Sequence, residues 1–139
     1  MHTATHKCDA LVLMCMDWRL HIGETVKNQI RQILECKTYD LLVLPGGAKC
    51  LLGEETRNLV LSYIELSKKI HGVKKVLLIN HTDCGAYGEA GTKERLIDDL
   101  REAADALTSA KISVEVTTCL ANVSEQNGEW EVQLEEIDL

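Results

Sequence analysis

Apolar and polar positions along the chain follow two alternating patterns. Continuous apolar runs at 10–14, 41–44 and 76–79 are typical of strands buried on both faces of a parallel sheet, and the third strand is placed at 73–80. Between the runs, apolar residues recur every three or four positions, which predicts helices with one buried stripe each. The predicted stripes are Val26, Ile30, Ile33 and Leu34 in the first helix, Leu59, Tyr63, Leu66 and Ile70 in the second, and Leu96, Leu100, Ala103 and Leu107 in the third.

The last part of the chain has the alternation expected of antiparallel strands. Apolar residues alternate with polar ones at 112–116 and again at 130–134. Asn127-Gly128 lies between these segments, and this dipeptide favours a two-residue hairpin because both positions readily adopt positive φ. We therefore expect the C-terminal strand to be an antiparallel edge strand.

The predicted element order is β-α-β-α-β-α-β-β, which defines an α/β fold. Right-handed crossovers place helices on both faces, so we expect a three-layer α/β/α architecture with a mainly parallel sheet in the order 2-1-3-4-5. Because the sequence contains no repeat or linker, residues 1–139 are expected to form a single domain. In this order the first and third strands are neighbours, and their connections leave toward opposite faces, which creates a crevice of the kind that binds ligands.

Composition narrows the range of partners. The formal net charge is −7 and Lys and Arg form no cluster, so neither nucleic acid nor an anionic membrane is the expected partner. The first apolar run is too short to span a membrane and is followed by no small-residue cleavage site, so no export signal is expected. The six cysteines therefore suit reduced thiols in the cytoplasm better than a disulfide framework.

Potential metal ligands follow two of the predicted buried strands. Cys15 comes directly after the first strand, and His81 and Cys84 come directly after the third. These residues would meet at the carboxyl edge of the sheet, and two thiolates with one imidazole are a zinc ligand set. The fourth tetrahedral position is left for Asp17 or for water, and an open position is typical of catalytic zinc. The alternative is a pair of buried thiols beside a hydrogen-bonded histidine.

Asp17 and Arg19 follow Cys15 at alternate positions. They are either a structural ion pair or a functional pair at the metal. Two thiolates offset the charge of Zn²⁺ and leave bound water weakly acidified, so a carboxylate that accepts a hydrogen bond from this water would aid its attack on a small electrophile. A bidentate arginine would hold that carboxylate in place. Asp83, by contrast, is expected to cap the following helix.

The remaining cysteines and histidines have no spacing that indicates a site. We expect core or surface thiols at Cys8, Cys36, Cys50 and Cys119, and solvent-facing rings at His2, His6, His21 and His71. Among these rings, His21 is the one candidate for a proton shuttle.

Residues 15–19 (Cys-Met-Asp-Trp-Arg) and 81–85 (His-Thr-Asp-Cys-Gly) together resemble the two motifs of the β-class carbonic anhydrases, and the similarity runs from about residue 8 to the end of the fourth strand. The resemblance implies one zinc ion per chain, held by Cys15, His81 and Cys84. It also implies that Asp17 and Arg19 are a catalytic gating pair. In that arrangement Asp17 either ligates zinc and closes the site, or pairs with Arg19 and lets water bind.

The predicted function is the reversible hydration of carbon dioxide to bicarbonate by zinc-bound hydroxide, gated by Asp17 and Arg19. One alternative is hydrolysis of an isosteric substrate such as carbonyl sulfide, because residues 44–48 (Leu-Pro-Gly-Gly-Ala) differ from the Arg-Asn-Ala-Gly-like segment usual in the family. Another is a zinc-binding relative without activity, in which Asp17 stays on the metal. The resemblance also implies a homodimer or larger homo-oligomer. We expect the interface to lie beside the zinc cleft, with the first helix and Trp18 as candidates.

Overall fold

The sheet has five strands: β1 (Ala10–Met14), β2 (Tyr39–Val43), β3 (Lys75–His81), β4 (Glu115–Gln126) and β5 (Glu129–Glu136). The computed structural model describes residues 6–139 and orders these strands β2-β1-β3-β4-β5. β1 pairs in parallel with β2 and with β3, β3 pairs in parallel with β4, and β4 pairs antiparallel with β5. The predicted α/β class, the strand order and the antiparallel edge strand are therefore confirmed.

Within the described residues, three α-helices cover the two faces of this sheet: α1 (Thr25–Leu34), α2 (Glu54–His71) and α3 (Lys93–Ser109). α1 buries the predicted Val26, Ile30 and Leu34 against one face, in a core that β1, β3, β4 and β5 share. α2 and α3 pack on the other face. All four residues of the predicted α3 stripe are buried: Leu100, Ala103 and Leu107 lie in the core on this face, whereas Leu96 belongs to the core on the α1 side. No helix among residues 6–139 combines the length and the apolar character needed to cross a bilayer.

The buried face of α2 differs from the predicted one. Leu59, Tyr63 and Leu66 are 51%, 41% and 50% exposed, whereas Val60, Ile64 and Ser67 face the sheet. Both sets repeat with helical spacing, so periodicity alone does not choose between them. The buried stripe was not recognised because it contains a polar residue, Ser67. This serine can be buried because its hydroxyl donates to Asp40 Oδ2 at 2.6 Å.

The fourth strand also begins later than predicted. The alternating segment 112–116 mostly precedes β4, which starts at Glu115 and extends to Gln126. Cys119, Leu120 and Ala121 are all fully buried, because β4 lies between β3 and β5 and has apolar neighbours on both faces. The predicted hairpin is present: Asn127 and Gly128 have φ values of +52° and +79° between β4 and β5.

Candidate metal centre

The three predicted zinc ligands lie together at the carboxyl edge of the sheet. Cys15 follows β1 directly, His81 is the last residue of β3, and Cys84 lies in the turn after it. β1 and β3 are paired in parallel, so their carboxyl ends reach the same edge. The two sulfur atoms are 3.9 Å apart, and the donor atoms of all three residues lie within 4.8 Å of one another. This spacing allows one ion to contact all three side chains.

The His81 ring is fixed in the orientation that a metal ligand needs. The side chain is 1% exposed, and its Nδ1 lies 2.7 Å from the carbonyl oxygen of Thr82. Thr82 is itself anchored to β4, because its Oγ1 accepts a hydrogen bond from the amide of Val123 at 2.9 Å. With the Nδ1 proton donated to a carbonyl, Nε2 carries the lone pair and faces the two thiols.

Nε2 of His81 has no hydrogen-bond partner among the described residues. A buried ring nitrogen without a partner is costly, since it has lost its hydration without a replacement. A zinc ion bound by this nitrogen and the two sulfur atoms would remove that cost. The donor set therefore fits zinc in two respects: its atoms are of the types that bind zinc, and the Nε2 of His81 lacks, among the described residues, a hydrogen-bond partner whose place a metal ion would take.

The loop after β2 presses against the Cys15 side of the centre. The amide of Gly46 donates to Cys15 Sγ at 3.3 Å. Gly47 has a φ of +54°, and a Cβ built there would lie 2.6 Å from the carbonyl oxygen of Ile79. Only glycine fits this close approach, so the loop backbone packs directly against the metal centre.

The two thiols titrate as a pair that shares one proton. The hydrogen bond from the Cys84 thiol lowers the pKa of Cys15, and the same contact raises the pKa of Cys84 above its usual range. This pair of thiols therefore favours one negative charge by itself. Zinc binding would also displace the proton that the two sulfur atoms share, because cysteine binds zinc as the thiolate.

Asp17 and Arg19 form a bidentate pair beside the ligands. Arg19 donates from Nη2 to Asp17 Oδ2 at 2.6 Å and from Nε to Oδ1 at 3.0 Å, and its own amide donates to Oδ1 at 2.9 Å. These hydrogen bonds from Arg19 lower the pKa of Asp17 to about 2. Asp17 Oδ2 lies 3.9 Å from His81 Nε2, so an ionised carboxylate stands next to the candidate ligand set.

Two further residues, which sequence reasoning missed, hold Arg19 in place. Asp83 accepts hydrogen bonds from Arg19 through Oδ2 at 3.0 Å and through its carbonyl oxygen at 2.9 Å. The guanidinium carbon also lies 4.8 Å from the centroid of the Trp130 ring. The prediction that Asp83 caps the next helix is therefore wrong, and Thr92 caps α3. The place of Asp83 inside the second motif was a usable signal, whereas nothing local marked Trp130.

The remaining cysteines and histidines fall into two groups. Cys50 and Cys119 are buried and Cys8 and Cys36 are half-buried, as expected of core or surface thiols. His6 is exposed, but His21 and His71 are half-buried rather than solvent-facing, and His2 lies outside the described residues. Nε2 of His21 lies 2.9 Å from the carbonyl oxygen of Cys15, so this ring braces the turn after β1.

Comparison of the sequence with known proteins identifies a family. The profile of the family described as "Putative carbonic anhydrase" matches residues 5–134. An uncharacterized protein of Rickettsia bellii is 31% identical over 94 residues, which are 66% of this chain and 56% of that protein. An uncharacterized protein of Rickettsia conorii is 29% identical over 85 residues, 59% of this chain and 45% of that protein. The chain thus spans about half the length of these curated relatives.

Solved structures share the fold at low sequence identity. The carbonic anhydrase from Streptococcus mutans superposes with a TM-score of 0.60 at 17% identity, over 95% of this chain and 86% of that one. The carbonic anhydrase from Glaciozyma antarctica superposes with a TM-score of 0.54 at 16% identity, over 92% of this chain and 83% of that one. The family match covers nearly the whole sequence, so the chain belongs to the family described as "Putative carbonic anhydrase", and these two structures show the same fold.

Proposed function

We propose that the protein is a zinc-dependent carbonic anhydrase that reversibly hydrates carbon dioxide to bicarbonate. The observation that carries the proposal is the ionised, arginine-held Asp17 whose Oδ2 lies 3.9 Å from the unpartnered Nε2 of His81. A structural zinc site has no need of such a pair, because its ligands close the coordination sphere by themselves. A hydrolytic centre does, since it must orient a water molecule.

Zinc held by Cys15, His81 and Cys84 would supply a Lewis acid that lowers the pKa of water at the carboxyl edge. Asp17 would accept a hydrogen bond from the attacking water and orient its lone pair. The pKa of about 2 keeps this carboxylate ionised at every pH at which such an enzyme works. Arg19 would fix the position of Asp17, and Asp83 and Trp130 would keep Arg19 from rotating away.

Asp17 is also the candidate fourth ligand of a closed form. Its Oδ2 lies near the ligand set, so a change of rotamer could bring it onto the metal. The contacts of Arg19 with Asp17 oppose that change, whereas loss of these contacts would favour it. In this proposal the strength of the Asp17–Arg19 pair sets the balance between an open and a closed site.

The test is stopped-flow measurement of carbon dioxide hydration on zinc-loaded protein, with carbonyl sulfide as a parallel substrate. Hydration of carbon dioxide that depends on zinc supports the proposal. Turnover of carbonyl sulfide alone would support the alternative substrate. The structural argument for this alternative is the Gly46-Gly47 loop, which donates a backbone amide to Cys15 where the usual family segment carries Arg and Asn side chains. If fully zinc-loaded protein shows neither activity, it is an inactive relative.

We further propose that residues 1–139 act as one zinc domain, as a homodimer or larger homo-oligomer, in the cytoplasm. Met16 and Trp18, which alternate with Cys15, Asp17 and Arg19 along the chain, are 59% and 63% exposed, and Ile22, shortly before α1, is 49% exposed. Large apolar side chains that cluster on a surface favour association. All six thiols are free, which suits a reducing compartment.

A further inference from the structure

A second group of potential metal ligands lies at the opposite edge of the sheet. Cys8 comes two residues before β1, Asp40 is the second residue of β2, and His71 is the last residue of α2. Their donor atoms all lie within 4.8 Å of one another. The topology explains the meeting, because the amino ends of parallel strands share one edge and α2 runs back to that edge before β3 begins.

Backbone contacts hold this group in place. The amide of Cys8 donates to the carbonyl oxygen of His71 at 3.0 Å, so the segment before β1 is tied to the end of α2. Leu11 and Asp40 are register partners in the β1–β2 pair, which fixes the position of Asp40 relative to Cys8. The three side chains therefore come from three separate elements whose relative positions are set by the fold.

The side chains are of the kinds that bind transition metals, and they are within reach of solvent. Nδ1 of His71 lies 2.7 Å from Asp40 Oδ2, and the two side chains are 23% and 32% exposed. The hydroxyl of Ser67 donates to the same carboxylate at 2.6 Å, which orients Asp40 in the way that outer contacts orient metal ligands. An ion could enter without local unfolding.

A fourth donor stands beside these three. The ring of His6 lies against the ring of His71, with centroids 5.3 Å apart and an interplanar angle of 66°. His6 is exposed and belongs to the same segment as Cys8, so a second imidazole lies at the border of the group. With it, the donors are one thiol, one carboxylate and two imidazoles.

We propose that Cys8, Asp40 and His71, with His6 as the fourth donor, bind a second divalent cation of the zinc type. Sulfur and imidazole donors select zinc and similar transition metals, whereas magnesium and calcium require oxygen ligands. This ion would be additional to the zinc proposed for the carboxyl edge. No motif spacing marks the site, because its members come from three elements.

Binding requires small changes in the group. The Cys8 thiol now donates to the carbonyl oxygen of Ala10 at 3.5 Å and must release its proton. The hydrogen bond between His71 Nδ1 and Asp40 Oδ2 must open. Tetrahedral zinc holds nitrogen and oxygen ligands roughly 3.3 Å apart, so the pair, now at 2.7 Å, widens by roughly 0.6 Å. Both side chains are partly exposed and can make this adjustment.

The test is the zinc stoichiometry of the folded full chain, measured by equilibrium dialysis and elemental analysis. Wild-type protein should bind two zinc ions per chain at saturation. Cys8→Ser and Asp40→Asn should each bind one, because each removes a ligand of the second site only. Asp40→Asn keeps an oxygen to accept the Ser67 hydroxyl, so it preserves the fold better than a truncation. Cys36→Ser, which alters another half-buried thiol, is the matched control and should bind two.

Cobalt(II) titration gives an independent readout. In wild type and Cys36→Ser, the second equivalent of cobalt should add thiolate-to-cobalt absorption in the near ultraviolet, and in Cys8→Ser this increment should be absent. Circular dichroism melting shows whether each variant is folded. The proposal is overturned if wild-type protein saturates at one zinc per chain, or if folded Cys8→Ser and Asp40→Asn both still bind two. The group would then be a hydrogen-bonded network that fastens the segment before β1.

Discussion

Replacing Arg19 by alanine tests the proposed mechanism most directly. The substitution removes the hydrogen bonds that are the largest cause of the low pKa of Asp17, which lies at about 2 instead of the usual 3.8. One pKa unit corresponds to about 1.36 kcal/mol, so the net shift favours the charged carboxylate by about 2 kcal/mol, with the hydrogen bonds from Arg19 as its main cause. Without it, Asp17 would be free to rotate, and a zinc ion held by Cys15, His81 and Cys84 would be its strongest partner within reach.

The expected result is loss of rate with retention of metal. A positioned group worth 2 to 3 kcal/mol in the transition state corresponds to a fall in kcat/KM on the order of a hundredfold. Zinc content should stay at the wild-type level, because Cys15, His81 and Cys84 are unchanged. Arg19→Lys should recover only part of the rate, since an ammonium group cannot form the two parallel hydrogen bonds of the guanidinium.

Stopped-flow hydration of carbon dioxide, paired with elemental analysis of the same samples, is the assay. Arg101→Ala is the matched control: Arg101 also pairs with an aspartate, Asp98, but on the exposed face of α3, so its loss should leave the rate unchanged. The reasoning is refuted if Arg19→Ala hydrates carbon dioxide as fast as wild type while retaining its zinc.

The remaining predictions concern metal, loop, assembly and pH. Cys84→Ser should lose the zinc of the carboxyl edge and melt at a lower temperature, because the metal ties the ends of β1 and β3 together; unchanged melting with lost zinc would contradict this. Gly47→Ala should lower the free energy of unfolding by about 2 kcal/mol or more in denaturant titration, since its Cβ would lie 2.6 Å from the Ile79 carbonyl oxygen, whereas Gly85→Ala, with no atom within 4 Å, should cost much less. Light scattering should give at least twice the chain mass of 15.5 kDa, and Trp18→Ser should weaken the association; a wild-type monomer at micromolar concentration would exclude it. The hydration rate should rise from pH 6 into the alkaline range, because two thiolates limit the acidifying effect of zinc, and Asp17, with a pKa of about 2, is ionised throughout and contributes no step.

Most of the fold could be predicted because the central parallel strands β1 and β3 are buried on both faces. β1 and β3 are therefore continuous apolar runs, and the crossover rules leave few strand orders for them. The buried face of α2 could not be predicted, since Val60 and Ile64 compete with Leu59 and Tyr63 as equally periodic stripes. Choosing between them requires knowing that Ser67 finds Asp40 as its partner, which is tertiary information.

The candidate site divides in the same way. Cys15, Asp17 and His81 could be found because each stands at the end of a recognisable strand and within a compact motif. Trp130 could not, because it reaches Arg19 from β5 across the sheet edge, and an edge strand with alternating residues gives no hint of which ring faces a cation. Long-range side-chain contacts of this kind have no local sequence signature.

The two edges of the sheet differ in the charge that they favour, and this difference bears on both proposed sites. Helices that follow parallel strands begin at the carboxyl edge, so their positive dipole ends lie on that side of the sheet, which favours an anionic product such as bicarbonate there. The same helices end at the amino edge, where the negative end of α2 lies at His71. A cation held by Cys8, Asp40 and His71 would therefore be stabilised by the helix end as well as by its ligands. One topology thus supplies an anion-favouring edge for the proposed hydration reaction and a cation-favouring edge for the proposed second metal.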